Sequence, residues 1–277
     1  MTEIRKVCQP VTALFDISRD QVDGRTIDMY LEWLLKTISI FPDVLVFHDG
    51  TCDRISDLNS NFVKVDREIL FESSLIENLK QIFVEMKIEA LDDITFKTPT
   101  YSIVQFLKFQ LLRESLYLRP ALSYMWVDAG ISRFIKPLSN PSALEHNSLS
   151  ALKRGFKYIF EIDLKQNLDF TNLSVKKALP GTCKRIISGT SFWIDGQQVD
   201  AFNTIVDLKK REWQKLRIWD NDQVLLRNLA TFLENVLYIR QGRNSTGSVA
   251  RFLLNESAKF NTHQNLAINW LIRRDQT

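Results

Sequence analysis

The first 50 residues alternate between two apolar runs and one amphipathic segment, and this alternation limits the fold more than any other feature. Residues 11–17 and 44–47 are short runs rich in β-forming side chains, which predicts two strands. Between them, apolar residues recur at steps of three and four from Ile27 to Ile38, which predicts a helix. A strand–helix–strand unit of this length implies a right-handed crossover and a parallel sheet.

The alternation continues through the first half of the chain and loosens in the second. Further strands are predicted at residues 61–65, 123–127, 156–162 and 184–194, the last with a kink at its small residues, and further helices at 75–86, 101–118, 197–213 and 224–233. With 277 residues, 45% of them hydrophobic, the chain can bury one large core. We therefore expect a single α/β domain over 1–277, Rossmann-type, with a mostly parallel sheet flanked by helices. A regular half, about 1–135, precedes an irregular half, about 136–277.

A single carboxylate stands at the end of the predicted strand 123–127. Asp128 follows the apolar run directly, and the small residues Ala129 and Gly130 come next. In open α/β sheets, ligands bind in the crevice at the carboxyl ends of the strands. An acid there can hold a divalent ion or accept a hydrogen bond from a ribose hydroxyl, and the small residues allow close approach of a ligand. The alternative is an acid that only opens a turn.

A second candidate group follows the first predicted strand. Phe15 lies next to Asp16, and Arg19 is three residues further on. An aromatic ring can stack on a base, the acid can accept from its N–H, and an arginine can bind a diphosphate bidentately. The alternative is a core Phe15 with a surface ion pair between Asp16 and Arg19.

A third group, residues 220–223 (Asp-Asn-Asp-Gln), lies where a helix is predicted to begin. Asp220 or Asn221 can cap that helix, and Asp222 in its first turn is favoured by the helix dipole. A carboxylate held near an acceptor hydroxyl can also take its proton, and the two interpretations are compatible. His263, in a polar stretch, is either a metal ligand or phosphate donor or exposed surface.

Composition and motifs exclude several other classes of protein. A net charge of +3 is too mild for nucleic-acid binding. There is no P-loop, dinucleotide-binding glycine motif, nucleophile elbow or zincin motif in the sequence. The three cysteines are widely spaced, which favours reduced thiols. Residues 1–5 are polar, and no apolar run reaches bilayer length, so we expect a cytoplasmic protein without a transmembrane segment.

Four blocks, occurring in this order, resemble the bacterial HtrL/YibB family, which is associated with lipopolysaccharide and capsule biosynthesis. The blocks are 12–17 (TALFDI), Tyr101-Ser102 with Lys108, 126–134 (WVDAGISRF) and 220–223 (DNDQ). The family is similar to GT-A glycosyltransferases, whose N-terminal half binds a nucleotide sugar. The resemblance implies a GT-A-like fold with a nucleotide-sugar-binding half at about 1–135 and an acceptor-binding half at about 136–277.

The resemblance also implies roles for individual residues. Asp128 would correspond to an acid of the Asp-x-Asp motif, which holds the metal and the ribose. Trp126 and Gly130 stand at both possible partner positions, so this sequence departs from the two-carboxylate pattern.

The remaining candidates receive roles from the same resemblance. Phe15, Asp16 and Arg19 would surround the base and the diphosphate. Asp222 or Asp220 would be the base if the enzyme inverts configuration, and would line the donor sugar if it retains it.

The predicted function is transfer of a sugar from a UDP-type donor to a surface polysaccharide or lipopolysaccharide acceptor. The leaving group would be stabilised by Arg19 and Lys108, or by a divalent Mn²⁺ or Mg²⁺ held by Asp128 with His263. The expected partners are a nucleotide-sugar donor and a glycan acceptor, without nucleic acid, in the cytoplasm or at the inner face of its membrane. The alternative is a non-catalytic nucleotide-sugar or glycan-binding protein of a polysaccharide assembly complex.

Overall fold

The part of the chain that the structure describes contains seven strands and eleven α-helices, joined by turns and loops. The structure is a computed structural model, and it describes residues 6–56, 61–86, 94–135, 142–162, 187–230, 232–240 and 246–255. The strands are β1 (Lys6–Leu14), β2 (Leu45–His48), β3 (Phe62–Lys64), β4 (Ala121–Val127), β5 (Tyr158–Ile162), β6 (Ile187–Asp195) and β7 (Val236–Arg240). The helices are α1 (Asp20–Asp23), α2 (Ile27–Ile40), α3 (Asp53–Ser56), α4 (Arg67–Leu70), α5 (Ser73–Glu85), α6 (Ile94–Lys97), α7 (Pro99–Leu118), α8 (Ser142–Lys153), α9 (Val199–Lys215), α10 (Asp222–Ala230) and α11 (Ser248–Leu253).

All seven strands belong to one sheet, in the order β3-β2-β1-β4-β6-β5-β7. The pairs β1–β2, β1–β4, β2–β3 and β5–β7 are parallel, whereas β6 runs antiparallel to both β4 and β5. The prediction of a mostly parallel α/β sheet is confirmed. Because β1 and β4 are parallel neighbours, their carboxyl ends meet at one edge of the sheet.

Helices cover both faces of the sheet, and the side chains of β4 alternate between two cores. Tyr124 and Trp126 pack in the core that contains residues of α5, α7, α9 and α10. Met125 and Val127 pack in the other core, with residues of α2, α8 and α11. A strand buried on both faces has a continuous apolar sequence, which explains the uninterrupted run before Asp128.

The predicted elements in the first half are confirmed, but the first strand was placed too late. β1 begins at Lys6 and ends at Leu14, so Phe15 and Asp16 lie beyond its carboxyl end. Pro10 lies inside the strand, paired with Met125, although proline is rare in a central strand because it lacks an N–H donor.

Three elements of the second half were not predicted: α8, β7 and α11. α8 follows a stretch rich in proline and asparagine, and β7 and α11 are only five and six residues long. The division of roles between residues 1–135 and 136–277 stays a prediction. Within the described ranges, no helix combines the length and apolar character that crossing a bilayer requires.

Candidate functional site

A cleft of about 230 Å³ opens at the carboxyl edge of the sheet, beyond the ends of β1 and β4. Its lining includes Phe15, Asp16, Arg19, Lys108, Asp128 and Asp222. These six predicted residues come from four separate parts of the sequence, and the parallel pairing of β1 with β4 brings the first and third of these parts together. The cleft therefore occupies the position where open α/β sheets bind ligands.

Asp128 is held at the floor of this cleft by two hydrogen bonds. Its backbone N–H donates to the Thr190 carbonyl at 2.9 Å, and the Trp126 indole Nε1–H donates to its Oδ1 at 2.9 Å. The side chain keeps 43% of its surface exposed. Desolvation raises the pKa of Asp128 above its usual range, against the opposing effect of the Lys108 ammonium. Asp128 is thus an oriented carboxylate that remains accessible to a ligand.

Trp126 occupies one of the two positions at which an Asp-x-Asp motif would have its other acid. It lies two residues before Asp128 on the same side of the extended chain, and it is buried in the core. In place of a second carboxylate, the sequence has a neutral donor that orients the first one.

Lys108 projects from the middle of α7 into a set of oxygen atoms. Its Nζ donates to Asp222 Oδ2 at 2.6 Å and to the Gly189 carbonyl at 2.9 Å, and lies 3.7 Å from Asp128 Oδ1. Only 6% of the side chain is exposed. Burial acts to lower the pKa of Lys108, but Asp222 and Asp128 together raise it above its ordinary value. The ammonium is therefore charged at neutral pH.

A bulge in β6 supplies the carbonyl that Lys108 binds. The register between β5 and β6 shifts between Phe160 and Glu161, opposite residues 189–191, so the predicted kink at these small residues is confirmed. A Cβ on Gly189 would overlap the Asp222 carboxylate and lie 3.1 Å from Lys108 Nζ. Only glycine leaves room for this ion pair. The nearby Phe192 and Trp193 are fully buried in the core, so neither ring is open to a ligand in the cleft.

The start of α10 places Asp222 in the cleft. Asn221 caps the helix, because its Oδ1 accepts from the N–H groups of Gln223 at 3.0 Å and Val224 at 3.1 Å. The Asp222 side chain is only 4% exposed. Its Oδ2 is occupied by Lys108, which favours a positioning role over the predicted role as general base.

Asp220, the other predicted base, does not line the cleft. It is buried, and its Oδ1 accepts from the Asn221 backbone N–H at 2.8 Å. Residues two apart at a helix start point in different directions, so only one of the two acids faces the cleft. The prediction that Asp220 takes a proton from an acceptor there does not fit its position.

Arg19 lies at the cleft wall between two tyrosines. Its guanidinium carbon is 4.7 Å from the Tyr101 ring centroid and 5.9 Å from that of Tyr30, within the range of cation–π contacts. It forms an ion pair with Asp23, not with Asp16. The alternative of a surface ion pair between Asp16 and Arg19 is therefore wrong.

Phe15 and Asp16 line the same wall but are partly engaged in local structure. Phe15 packs edge-on against Phe71 with ring centroids 5.7 Å apart. Asp16 Oδ1 accepts from the Ser18 N–H at 2.9 Å, and the Asp16 N–H donates to Thr51 Oγ1 at 3.0 Å. Asp16 remains exposed, so its carboxylate can still face a ligand.

Two cleft arginines were missed by sequence reasoning. Arg25 and Arg133 both line the cleft. Arg133 stacks over Trp33 at 4.4 Å and donates from Nε to the Gly130 carbonyl at 3.1 Å. Partial desolvation and the nearby Arg25 guanidinium lower the pKa of Arg133. The sequence signal that could have identified Arg133 is its position five residues after Asp128, the acid at the end of the strand.

The described residues do not by themselves fit a divalent-metal site. No group of three His, Cys, Asp or Glu side chains suited to a metal ion occurs in the described ranges. Of the two acids beside Lys108, Asp222 is bound to the ammonium, and Asp128 already accepts from Trp126. His263 lies outside the described residues, so the predicted metal pair of Asp128 and His263 stays a prediction.

The chain was compared with known proteins at the level of sequence and of structure. No protein-family model and no curated protein matches it. Among solved structures it is similar to core-mannan synthase A from Aspergillus fumigatus in an Mn/GDP form, with a TM-score of 0.51 and 10% identity over 86% of this chain and 74% of that chain. At this identity the likeness shows the fold alone. The chain has a GT-A-like α/β fold, as predicted.

Proposed function

We propose that this protein is a glycosyltransferase that moves a sugar from a UDP-type nucleotide donor to a glycan acceptor. The observation that carries the proposal is the convergence of Arg19, Lys108 and Asp128 in one cleft at the carboxyl edge of a GT-A-like sheet. Two cations and an oriented acid are the groups that a diphosphate and a hydroxyl-rich sugar require. The resemblance to the HtrL/YibB family supports a surface polysaccharide or lipopolysaccharide as the acceptor.

The donor would lie across the ends of β1 and β4. Phe15 and Asp16 would contact the base, and Arg19 the diphosphate, since these residues follow one another along the wall. Asp128 would accept hydrogen bonds from a ribose or sugar hydroxyl, with its Oδ1 already oriented by the Trp126 indole. Ala129 and Gly130, both buried in the cleft lining, let the donor approach the backbone closely.

Sugar transfer forms a bond between the acceptor oxygen and the anomeric carbon and breaks the bond between that carbon and the diphosphate. The acceptor hydroxyl loses its proton, and negative charge develops on the departing UDP. Lys108 and Arg19 are cations with largely buried side chains, and they would stabilise this charge. Asp222 would hold the Lys108 ammonium in place through the bond of 2.6 Å. A role for Asp222 as the base that deprotonates the acceptor would require it to leave this ion pair.

The test begins with a thermal-shift screen of UDP, GDP and CDP sugars, followed by a donor-hydrolysis assay. We expect stabilisation by UDP sugars and slow donor hydrolysis, with Asp128→Asn reducing hydrolysis by about 100-fold. Asp207→Asn, an exposed acid on α9 paired with Lys210, is the matched control and should retain wild-type hydrolysis.

Two other outcomes separate the rival functions. Stabilisation by UDP sugars without any turnover, with or without added glycan, would favour the non-catalytic binding protein. This alternative is motivated by Asp222, whose carboxylate is bound to Lys108 and not free to act as a base. No response to any nucleotide would contradict both functions.

A further inference from the structure

The Lys108 ammonium is surrounded by the kind of oxygen ligands that usually bind a divalent cation. A carboxylate from α10, a carbonyl from the β6 bulge and a carboxylate from the end of β4 lie 2.6, 2.9 and 3.7 Å from Nζ. Hard cations take carboxylate and carbonyl oxygens together with substrate phosphates. The position of Nζ among these oxygens is therefore the position where such a cation would be expected.

We propose that the Lys108 ammonium replaces a divalent cation in this cleft, so that a nucleotide diphosphate binds here without a metal ion. The identity of the ligand rests on the proposed function, but the replacement itself rests on the geometry around Nζ. The solved structure to which this chain is similar is an Mn/GDP form, so the two proteins would place a positive charge at the donor by different means.

The ammonium is built into the fold and does not lie on a mobile surface arm. Lys108 emerges from the middle of a helix of 20 residues, and 6% of its side chain is exposed. Only glycine at position 189 leaves space for the ion pair between Lys108 and Asp222, because any Cβ there would overlap the Asp222 carboxylate. These features hold Nζ at one place whether or not a ligand is bound.

The third N–H of the ammonium has no hydrogen-bond partner among the described residues. An ammonium has three donors, and Asp222 and Gly189 take two of them. The distance of 3.7 Å to Asp128 Oδ1 exceeds that of a hydrogen bond. A phosphate oxygen of the donor can therefore take this third N–H, while Asp128 remains available for a hydroxyl group.

A divalent ion would be repelled from the same position. An ion in contact with both Asp128 and Asp222 would lie within a few ångströms of a buried ammonium, where like charges are poorly screened. The Trp126 indole also donates to Asp128 Oδ1, the oxygen nearest to Lys108. Both features disfavour a metal and favour the ammonium.

The first experiment uses the wild-type protein and needs no variant. UDP is titrated calorimetrically into the full chain in EDTA and again in excess Mn²⁺. We expect the two dissociation constants to agree within about twofold. An affinity that falls about tenfold or more in EDTA and returns with Mn²⁺ would overturn the proposal.

The second experiment asks whether removing the ammonium creates a metal site. Lys108→Ala leaves two carboxylates and a carbonyl around an empty volume, so we expect it to bind Mn²⁺ at least about tenfold more tightly than the wild type. Mn²⁺ binding is measured by electron paramagnetic resonance on protein without nucleotide. Lys80→Ala, which removes an exposed lysine paired with Glu77, is the control and should bind Mn²⁺ as the wild type does.

The two experiments distinguish failure of this inference from failure of the proposed function. If UDP, GDP and CDP all fail to bind with and without Mn²⁺, the proposed function is contradicted, yet the resonance measurement still decides the role of the ammonium. Tight Mn²⁺ binding by the wild type, or no gain in a folded Lys108→Ala protein, would overturn the inference alone. If Lys108→Ala does not fold, the wild-type resonance measurement decides it.

Discussion

The two carboxylates beside Lys108 belong to different regions of the cleft and differ in almost every physical property. Asp222 is 4% exposed, 2.6 Å from the ammonium and positioned by a capped helix start. Asp128 is 43% exposed, 3.7 Å from the ammonium and positioned by a strand end and an indole N–H. These differences indicate that Asp222 anchors the ammonium and that Asp128 is accessible to a ligand. Asp222 should therefore govern stability, and Asp128 should govern binding.

The largest effect is expected from removing the shared cation. Lys108→Met leaves Asp222 buried and without its ammonium, and breaking a buried ion pair in this way costs roughly 3–5 kcal/mol. Urea unfolding measures the change. Lys80→Met, at an exposed ion pair, should change the free energy of unfolding by less than about 0.5 kcal/mol. Equal effects from the two variants would contradict the anchoring role.

Neutralising Asp222 is expected to have the next largest effect on the free energy of unfolding. Asp222→Asn keeps the shape of the side chain but loses the charge-assisted bond to Lys108, which is worth about 2 kcal/mol. Combining it with Lys108→Met in a double-mutant cycle should show that the two losses are not additive. Simple additivity would mean that the pair does not act as a unit.

Filling the space that Gly189 leaves for the ion pair between Lys108 and Asp222 should reduce stability by a similar or smaller amount. Gly189→Ala directs a methyl group into the Asp222 carboxylate, and overpacking of this kind costs typically about 1–3 kcal/mol. Gly130→Ala is the matched control, because its Cβ would meet only the end of the Arg133 side chain at 3.0 Å, which can move. A control that loses as much stability as Gly189→Ala would place the effect elsewhere.

The smallest effect on stability is expected at Asp128, and its size depends on pH. Desolvation raises the pKa of Asp128 in the folded state above its ordinary value of 3.8. The folded state therefore holds this proton more tightly than the unfolded state, and ionisation of Asp128 costs stability as pH rises above that value. Asp128→Asn removes the cost, so it should unfold at an equal or higher urea concentration at pH 7. The advantage should shrink as pH falls toward 4, and a clear loss of stability at pH 7 would contradict this assignment.

Much of the fold was accessible from local patterns. Apolar runs bounded by turn residues predicted the strands that position the cleft, and steps of three and four predicted α2, α5 and α7. The end of β4 predicted the place of Asp128, since a buried strand that stops at one carboxylate points to a sheet edge. These features depend on neighbours in sequence, and periodicity reports such neighbours directly.

The features that the sequence did not predict depend on contacts between distant residues or on the direction of a side chain. Lys108 and Asp222 are 114 positions apart, and no local pattern shows that they form an ion pair. The choice between Asp220 and Asp222 depends on the phase of α10, which the cap at Asn221 sets. The bonds of Arg19 to Asp23 and of Trp126 to Asp128 are local, but side-chain direction decides them, and sequence spacing does not.

The most direct test of the different roles of Asp222 and Asp128 is the affinity of the Asp128→Asn variant for UDP, measured by calorimetry at pH 7. We predict a dissociation constant at least about tenfold higher than that of the wild type, a loss of about 1.4 kcal/mol in binding, with no loss of folding stability. Asp207→Asn should bind UDP as the wild type does. Wild-type affinity in a folded Asp128→Asn protein would contradict a role of Asp128 in ligand binding.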